Sequence, residues 1–373
     1  MKLVYKTTSL CRICKNGVPA EVIERDNKIF LCKTCPEHGQ QEALIASDAA
    51  WYHETMRYPA LLKPAPPRAT SIKTGCPYDC GPCPAHQQKV SLPVVAITSA
   101  CNLNCPICYT INRRDSPYHM PVEQFADVLK QIKIADPQMT IINITGGEPT
   151  LHPRFAEMMK MCHDSGVGRI TISTHGLTFL EDEDLLKRLA DMQARIILSF
   201  NSFKSDTWKA MTGLDLLDRK LRVLDLLEKH DVHTTLIPVL SRGYNDHELG
   251  DLVDLLRQRR NLRSLEIHTI TLTGFGGKVF DPGARFTTSD VIRTIEDKTA
   301  GAIAMSDFVP SPAAHPLCYN TCYLLEDGAG GLIPFARFMP KDLYRELLSE
   351  SLYIEPGERM YRLLQKVMTN LWA

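Results

Sequence analysis

The chain has 373 residues, 44% hydrophobic and 23% charged, enough apolar content for one large domain with one or two small ones beside it. Its 43 basic residues are matched by 43 acidic ones, which removes any global electrostatic case for nucleic acid or an anionic membrane surface as partner. No apolar run approaches the roughly 20 residues that span a bilayer, and the N-terminus lacks a signal-peptide core, so the chain reads as cytoplasmic with at most peripheral membrane contact.

Twelve of the thirteen cysteines fall in pairs and triplets with two or three residues between neighbours. Such spacing suits metal ligation and strains an internal disulfide. In chain order, residues 1–60 carry Cys11-x2-Cys14 and Cys32-x2-Cys35, which offer four thiolates to one tetrahedral metal. Zinc and a single rubredoxin-like iron fit that donor set equally. The segment has too little apolar content to fold unaided, so the metal is expected to be structural. Residues 61–92 hold a stiff proline-rich linker, Lys63–Arg68, and then Cys76-Pro-Tyr-Asp-Cys80-Gly-Pro-Cys83.

Residues 93–300 alternate β-branched runs with segments of helical period. Val94–Thr98, Thr140–Ile144, Arg169–Ser173, Arg195–Phe200, Thr234–Leu240 and Ser264–Thr271 predict buried strands. Phe125, Val128, Leu129 and Ile132 predict a helix after Pro121; Leu249, Leu252, Val253 and Leu256 predict another. Repeated strand–helix units imply an α/β fold with a parallel sheet, either doubly wound or an incomplete barrel. Ligands of such sheets sit at the carboxyl ends of the strands. Cys101-Asn-Leu-Asn-Cys105-Pro-Ile-Cys108 follows the first strand and Thr145-Gly146-Gly147-Glu148-Pro149 the second, so both face one mouth. Three thiols at this spacing hold three irons of a [4Fe–4S] cube and leave the fourth open. Cys162 shares a helical stripe with Phe155, Met158 and Met159, a core position. Residues 301–373 add Cys318 and Cys322, then a terminal amphipathic helix.

The cysteine triplet followed by the Gly-Gly-Glu strand end resembles the radical S-adenosylmethionine (SAM) superfamily. That resemblance implies a partial (β/α)6 barrel over 93–300, with a small N-terminal four-cysteine metal domain and a C-terminal cap over 301–373. It implies that Cys101, Cys105 and Cys108 bind the catalytic cluster and that SAM takes the open iron. One electron, from a donor such as ferredoxin or flavodoxin, then yields a 5′-deoxyadenosyl radical. Gly146, Gly147 and Glu148 are expected near the SAM amino group, the glycines letting backbone approach the methionine part. Tyr109 is expected on the adenine side, with further contacts from Ser173, Thr174, Ser199, Asn201 and Asn245. Cys76, Cys80 and Cys83 resemble an auxiliary [4Fe–4S] site completed by Cys318 or Cys322; zinc there, or a second SAM-cleaving cluster, stays open.

The whole layout, including Cys35-Pro-Glu-His-Gly39, Thr74-Gly-Cys76 and His315-Pro-Leu-Cys318, resembles the branch of tetraether lipid synthases and dihydropterin methyltransferase-like enzymes. It implies hydrogen abstraction from an unactivated carbon of a lipid or small-molecule substrate. Lipid-chain coupling through a new C–C bond is the first expectation, and methylation of a pterin or other small molecule the alternative. A non-catalytic iron–sulfur electron carrier is the reading from another class. The Gly-Gly-Glu strand end argues against it, because a carrier needs no SAM pocket.

Overall fold

The structure is a computed structural model that describes residues 1–61, 73, 90–110, 112, 115–137, 139–271, 274, 276–281, 285–326, 328, 331–349, 358, 361, 362, 365 and 369. Cys76, Cys80 and Cys83, the linker and most of the expected terminal helix lie outside them. The chain divides into two compact units, 1–61 with 285–373, and 62–284.

The first unit opens with a four-stranded antiparallel sheet in sequential order: β1 (Lys2–Leu10), β2 (Gly17–Arg25), β3 (Lys28–Cys35) and β4 (Gly39–Ala46). The β2–β3 turn places Asp26 and Asn27 at φ 51° and 57°, the left-handed pair that a two-residue hairpin demands. One end of the sheet buries Val22, Ile29 and Ala46 with Ala49 and Tyr52 of α1 (Ala49–Thr55). At the other end Cys11, Val18 and Cys35 form a small buried cluster with Cys14 packed against it.

The second unit is the barrel. Its strands β5 (Val94–Ala96), β6 (Ile142–Thr145), β7 (Ile170–Thr174), β8 (Arg195–Ser199) and β9 (Thr234–Ile237) run parallel. A short β10 (Val239–Leu240) follows β9, and β11 (Leu262–Leu265) closes the six-stranded sheet beside β9. The strand order simply follows the chain, with no reversal, so the sheet is singly wound. That decides for the partial barrel, because a doubly wound sheet must reverse at a switch point. The crossovers carry α2 (Val122–Ala135), α3 (Phe155–Asp164), α4 (Glu183–Asp191), α5 (Ser205–Thr212), α6 (Leu217–Lys229) and α7 (Leu249–Gln258). Each of α2, α3, α4, α6 and α7 buries an apolar stripe, and Cys162 sits fully buried in that of α3.

Two expected strands are each broken in two. Pro238 has no N–H to give the ladder, so Thr234–Leu240 splits into β9 and β10. The run 264–271 begins earlier as β11 and resumes as β12 (His268–Thr269), paired in parallel with β10. A short α8 (Gly276–Val279) is the last described helix of this unit. Residues up to 300 were expected with the barrel, whereas α9 (Thr288–Lys298) groups with the first unit, where Ser289 Oγ accepts from the Ser47 amide at 2.9 Å. None of the described helices is long and apolar enough to cross a membrane.

Candidate active site and metal centre

The barrel site begins where β5 ends. The backbone beyond it runs beside the end of β6: the Gly147 amide donates to Thr98 O at 2.8 Å and the Glu148 amide to Ala100 O at 2.7 Å. A Cβ on Gly146 would stand 2.4 Å from Thr98 O, and one on Gly147 2.4 Å from Ala100 O. The glycines are therefore needed first for contact inside the protein: they let the Gly-Gly-Glu strand end carry the segment that leads into Cys101. The loop is held elsewhere by backbone bonds from Ile107 N to Met211 O of α5 and from Gly276 N to Cys108 O.

The three thiols on this loop are partly buried. Burial, and then the Cys101 and Cys108 thiols, push Cys105 up to about 12. Three thiols crowded in a poorly solvated loop ionise only with cationic compensation, which an iron–sulfur cube supplies. Leu103 N and Asn112 Nδ2 point hydrogen-bond donors at Cys101 Sγ and Cys108 Sγ, at 3.4 and 3.6 Å, as sulfur ligands of a cluster require. The donor set fits the group.

Glu148 is buried, and its carboxylate accepts from Thr150 Oγ1 (2.6 Å), Thr150 N (3.2 Å), Thr174 Oγ1 (2.6 Å) and His175 N (2.9 Å). Three of these donors crowd Oε1, while Oε2 accepts only from His175 N, with His175 Nε2 3.3 Å away. Glu148 and Thr174 were expected as cofactor contacts; here their side chains brace the ends of β6 and β7 against each other. His175 extends the brace. Leu177 N donates to its Nδ1 at 3.0 Å, which leaves the proton on Nε2, 2.7 Å from Asn102 Oδ1 in the cysteine loop. Burial, the largest influence, holds this imidazole down to about 4 despite the Glu148 carboxylate, so the ring is neutral.

The remaining expected contacts divide in the same way. Asn245 is fully buried; its amide donates to Asn201 O (2.7 Å) and Val239 O (2.9 Å), and its Oδ1 accepts from Ser241 N (2.9 Å). Asn201 Oδ1 accepts from Val239 N at 3.0 Å. Both asparagines tie β8 to β10. Ser173 bonds Asn143 of β6 and Ser199 accepts from Lys220, yet both remain partly exposed. Tyr109 is 67% exposed, open to a ligand.

The metal centre of the first unit forms at the thin end of its sheet. Cys11, Cys14, Cys35 and His38 place their donor atoms within 4.8 Å of one another. Cys14 Sγ lies 3.9 Å from Cys35 Sγ, and His38 Nδ1 lies 3.4 Å from Cys35 Sγ and 3.7 Å from Cys11 Sγ. A tetrahedron with Zn–S bonds of about 2.3 Å has edges of about 3.8 Å, so the set is close to a zinc site. Burial raises the Cys11 thiol, but bonds from Gln41 Nε2 and from backbone amides outweigh it and bring Cys11 down to about 5. Such a thiol is ready to ligate.

The expected fourth ligand, Cys32, is not in this group. Cys32 and Cys35 stand three positions apart on β3, and a strand alternates faces every residue, so they point to opposite sides. Cys32 instead lies 3.4 Å from Glu42 Oε2 on β4, and burial followed by that carboxylate raises its thiol. The hairpin loop after Cys35 brings His38 into the vacant corner. Of the auxiliary pair, Cys318 is exposed, while Cys322 is pushed up to about 12 by burial and then by Asp307.

Residues 95–256 match the family model of the radical SAM superfamily, and residues 3–47 match the HMPTM N-terminal zinc ribbon domain. The chain is 30% identical over 371 residues to 7,8-dihydro-6-hydroxymethylpterin dimethyltransferase of Methanocaldococcus jannaschii, covering 93% of this chain and 73% of that relative. The chain belongs to the radical SAM superfamily. This radical SAM enzyme is also 28% identical over 205 residues to a probable GTP 3′,8-cyclase of Saccharolobus islandicus, covering 54% of this chain and 62% of that relative. Streptococcus suis SuiB bound to S-adenosylmethionine is a similar solved structure, with a TM-score of 0.48 and 20% identity over 56% of this chain and 47% of that one.

Three residues gave rise to no expectation from the sequence: His38 of the ribbon's metal centre, and Lys220 and Asn102 of the barrel. His38 was visible as Cys35-x2-His38, a ligand spacing in its own right. Lys220 interrupts an apolar stripe formed by Leu216, Val223, Leu224 and Leu227, a place where a lysine is rarely buried without purpose. Asn102 gave no signal, because its role depends on His175, 73 positions later.

Proposed function

We propose that this radical SAM enzyme methylates a dihydropterin-type small molecule. The carrying observation is that one relative, a dihydropterin dimethyltransferase, matches the chain across 93% of its length, through ribbon and barrel alike. Between the two activities expected from the sequence, this favours pterin methylation over lipid-chain coupling.

Cys101, Cys105 and Cys108 would hold the cluster, which with SAM on its open iron supplies a one-electron route to hydrogen abstraction from an unactivated carbon. The chain's own work is placement. Gly146 and Gly147 let the β6 end carry the entry to the cysteine loop, and Glu148 fixes β6 to β7. Neutral His175 holds the loop through Asn102. Tyr109, Ser173 and Ser199, all partly open, are the side chains offered to the nucleoside part of SAM. The Cys11, Cys14, Cys35 and His38 set would hold a structural zinc.

The test is anaerobic incubation of the iron-loaded enzyme with SAM, dithionite and 7,8-dihydro-6-hydroxymethylpterin, read by mass spectrometry. Methylated pterin together with methionine and 5′-deoxyadenosine is expected. SAM cleavage with an unmodified pterin would sink the substrate assignment, and transfer of deuterium from a labelled lipid chain into 5′-deoxyadenosine would restore lipid-chain coupling.

A further inference from the structure

Lys220 lies on α6 and is wholly buried. Its Nζ donates to His175 O (2.7 Å), Ser199 O (2.7 Å) and Ser199 Oγ (3.0 Å), tying together the carboxyl ends of β7 and β8. Three donated bonds use the three protons of an ammonium, whereas a neutral amine has two. The Trp208 ring lies 5.5 Å from Nζ. Among the described residues no carboxylate forms a direct ion pair with it.

A buried cation without an anion nearby is costly. Burial pulls the Lys220 pKa down to about 7, while the fields of Glu148 and then Cys105 pull it back up. Glu148 keeps its charge under its four neutral donors and is the larger attraction; the cysteine loop is the second, and it is tied to Lys220 through His175, whose carbonyl accepts from Nζ and whose Nε2 lies 2.7 Å from Asn102 Oδ1, next to Cys101. A fixed positive charge in a low-dielectric interior favours the redox state with more negative charge.

We propose that Lys220 is an electrostatic positioning residue for the cluster held by Cys101, Cys105 and Cys108: its ammonium fixes the β7 and β8 ends and raises the cluster's reduction potential. This rests on the reading that the triplet binds a [4Fe–4S] cluster. Reduction adds one electron from the external donor and one negative charge to the cluster, and Lys220 neither gains nor loses a proton in that step.

The test uses the full chain, reconstituted anaerobically, with iron and sulfide content and apoprotein melting measured first. A wild-type protein without a reducible cluster removes the premise and is recognised before Lys220 is touched. An EPR-monitored redox titration without SAM, so that the part given to Ser199 in SAM binding does not enter, then compares wild type with Lys220→Met, Lys220→Gln, Lys220→Arg and Ser199→Ala. Both neutral variants are expected to load the cluster and titrate lower. The shift should make the reduced-to-oxidised ratio at fixed ambient potential at least tenfold smaller, about 59 mV for a one-electron couple. Lys220→Arg and Ser199→Ala, which keep the charge, are expected to stay close to wild type. Unmoved potentials in the neutral variants, or an equal shift in Ser199→Ala, would overturn the proposal. So would failure of both neutral variants to fold as apoproteins, since Lys220 would then be a structural tie alone.

Discussion

The ribbon and the barrel both gather cysteines, but they hold them by opposite means. At the ribbon's metal end, hairpin turns bring Cys11, Cys14, Cys35 and His38 together and almost nothing apolar surrounds them. A metal held there would serve as the core. In the barrel, the cysteine loop has no regular structure of its own, and protein–protein bonds fix it: strand ends, Gly146 and Gly147, Glu148, His175 and Asn102 all take part. The comparison teaches that a structural metal replaces packing, whereas a reactive one is presented by packing already in place.

The largest expected effect breaks the ribbon side. Chelation, or His38→Ala, should release the metal and open residues 11–18 and 35–39, because metal binding supplies on the order of 10 kcal/mol to such a site. Hydrogen exchange should show that loss while the end built on Tyr52 and Ile29 stays protected. Uniform exchange with and without metal would show that the site is not the local core.

Gly147→Ala tests the barrel side. A methyl 2.4 Å from Ala100 O forces the cysteine loop away. The cost should be about 1–3 kcal/mol in melting stability, with a much larger fall in iron bound per chain. Full iron loading would mean that the strand end does not carry the loop.

Glu148→Gln sharpens the same point. The amide would set its NH2 either against His175 N, at the Oε2 position, or against Thr150 and Thr174, at the Oε1 position, donor facing donor in both cases, and a hydrogen bond to a charged group is worth about 1.5–3 kcal/mol. Melting should fall by about that amount and SAM affinity with it. A change in SAM affinity without loss of stability would instead indicate direct contact with the cofactor.

His175 gives a pH signature. Its pKa is about 4 in the folded protein against the ordinary 6.5, so the unfolded chain binds the proton first as pH falls. Stability from the buried neutral ring is fully present above about pH 6.5 and is lost progressively down to about pH 4. His175→Asn should flatten that part of the profile measured by denaturant melts. The smallest effect is expected for Cys32→Ser, which should leave the ribbon's metal content unchanged; loss of one metal per chain would return Cys32 to the ligand set.

Much of the barrel was legible in the sequence, since Ile142–Thr145 and Ile170–Thr174 are β-branched runs and the two motifs follow strand ends. The break at Pro238 was legible in principle and was passed over. The site was harder. Thr174, Asn201 and Asn245 were expected as SAM contacts on the strength of the resemblance, but whether a side chain meets a ligand or braces a neighbour depends on partners from other strands. Asn245 bonds to Asn201, 44 positions earlier, and no local pattern carries that pairing. In the ribbon, Cys-x2-Cys spacing suggested Cys32 until the strand through Cys35 assigned the two thiols to opposite faces.

The most direct test of the account is EPR of the reduced, iron-loaded protein with and without SAM. A [4Fe–4S] signal that changes on SAM addition and disappears in Cys105→Ala is predicted, because the loop leaves one iron for the cofactor. A signal indifferent to SAM in a fully loaded protein would contradict it, and would make the triplet an electron-carrying site instead.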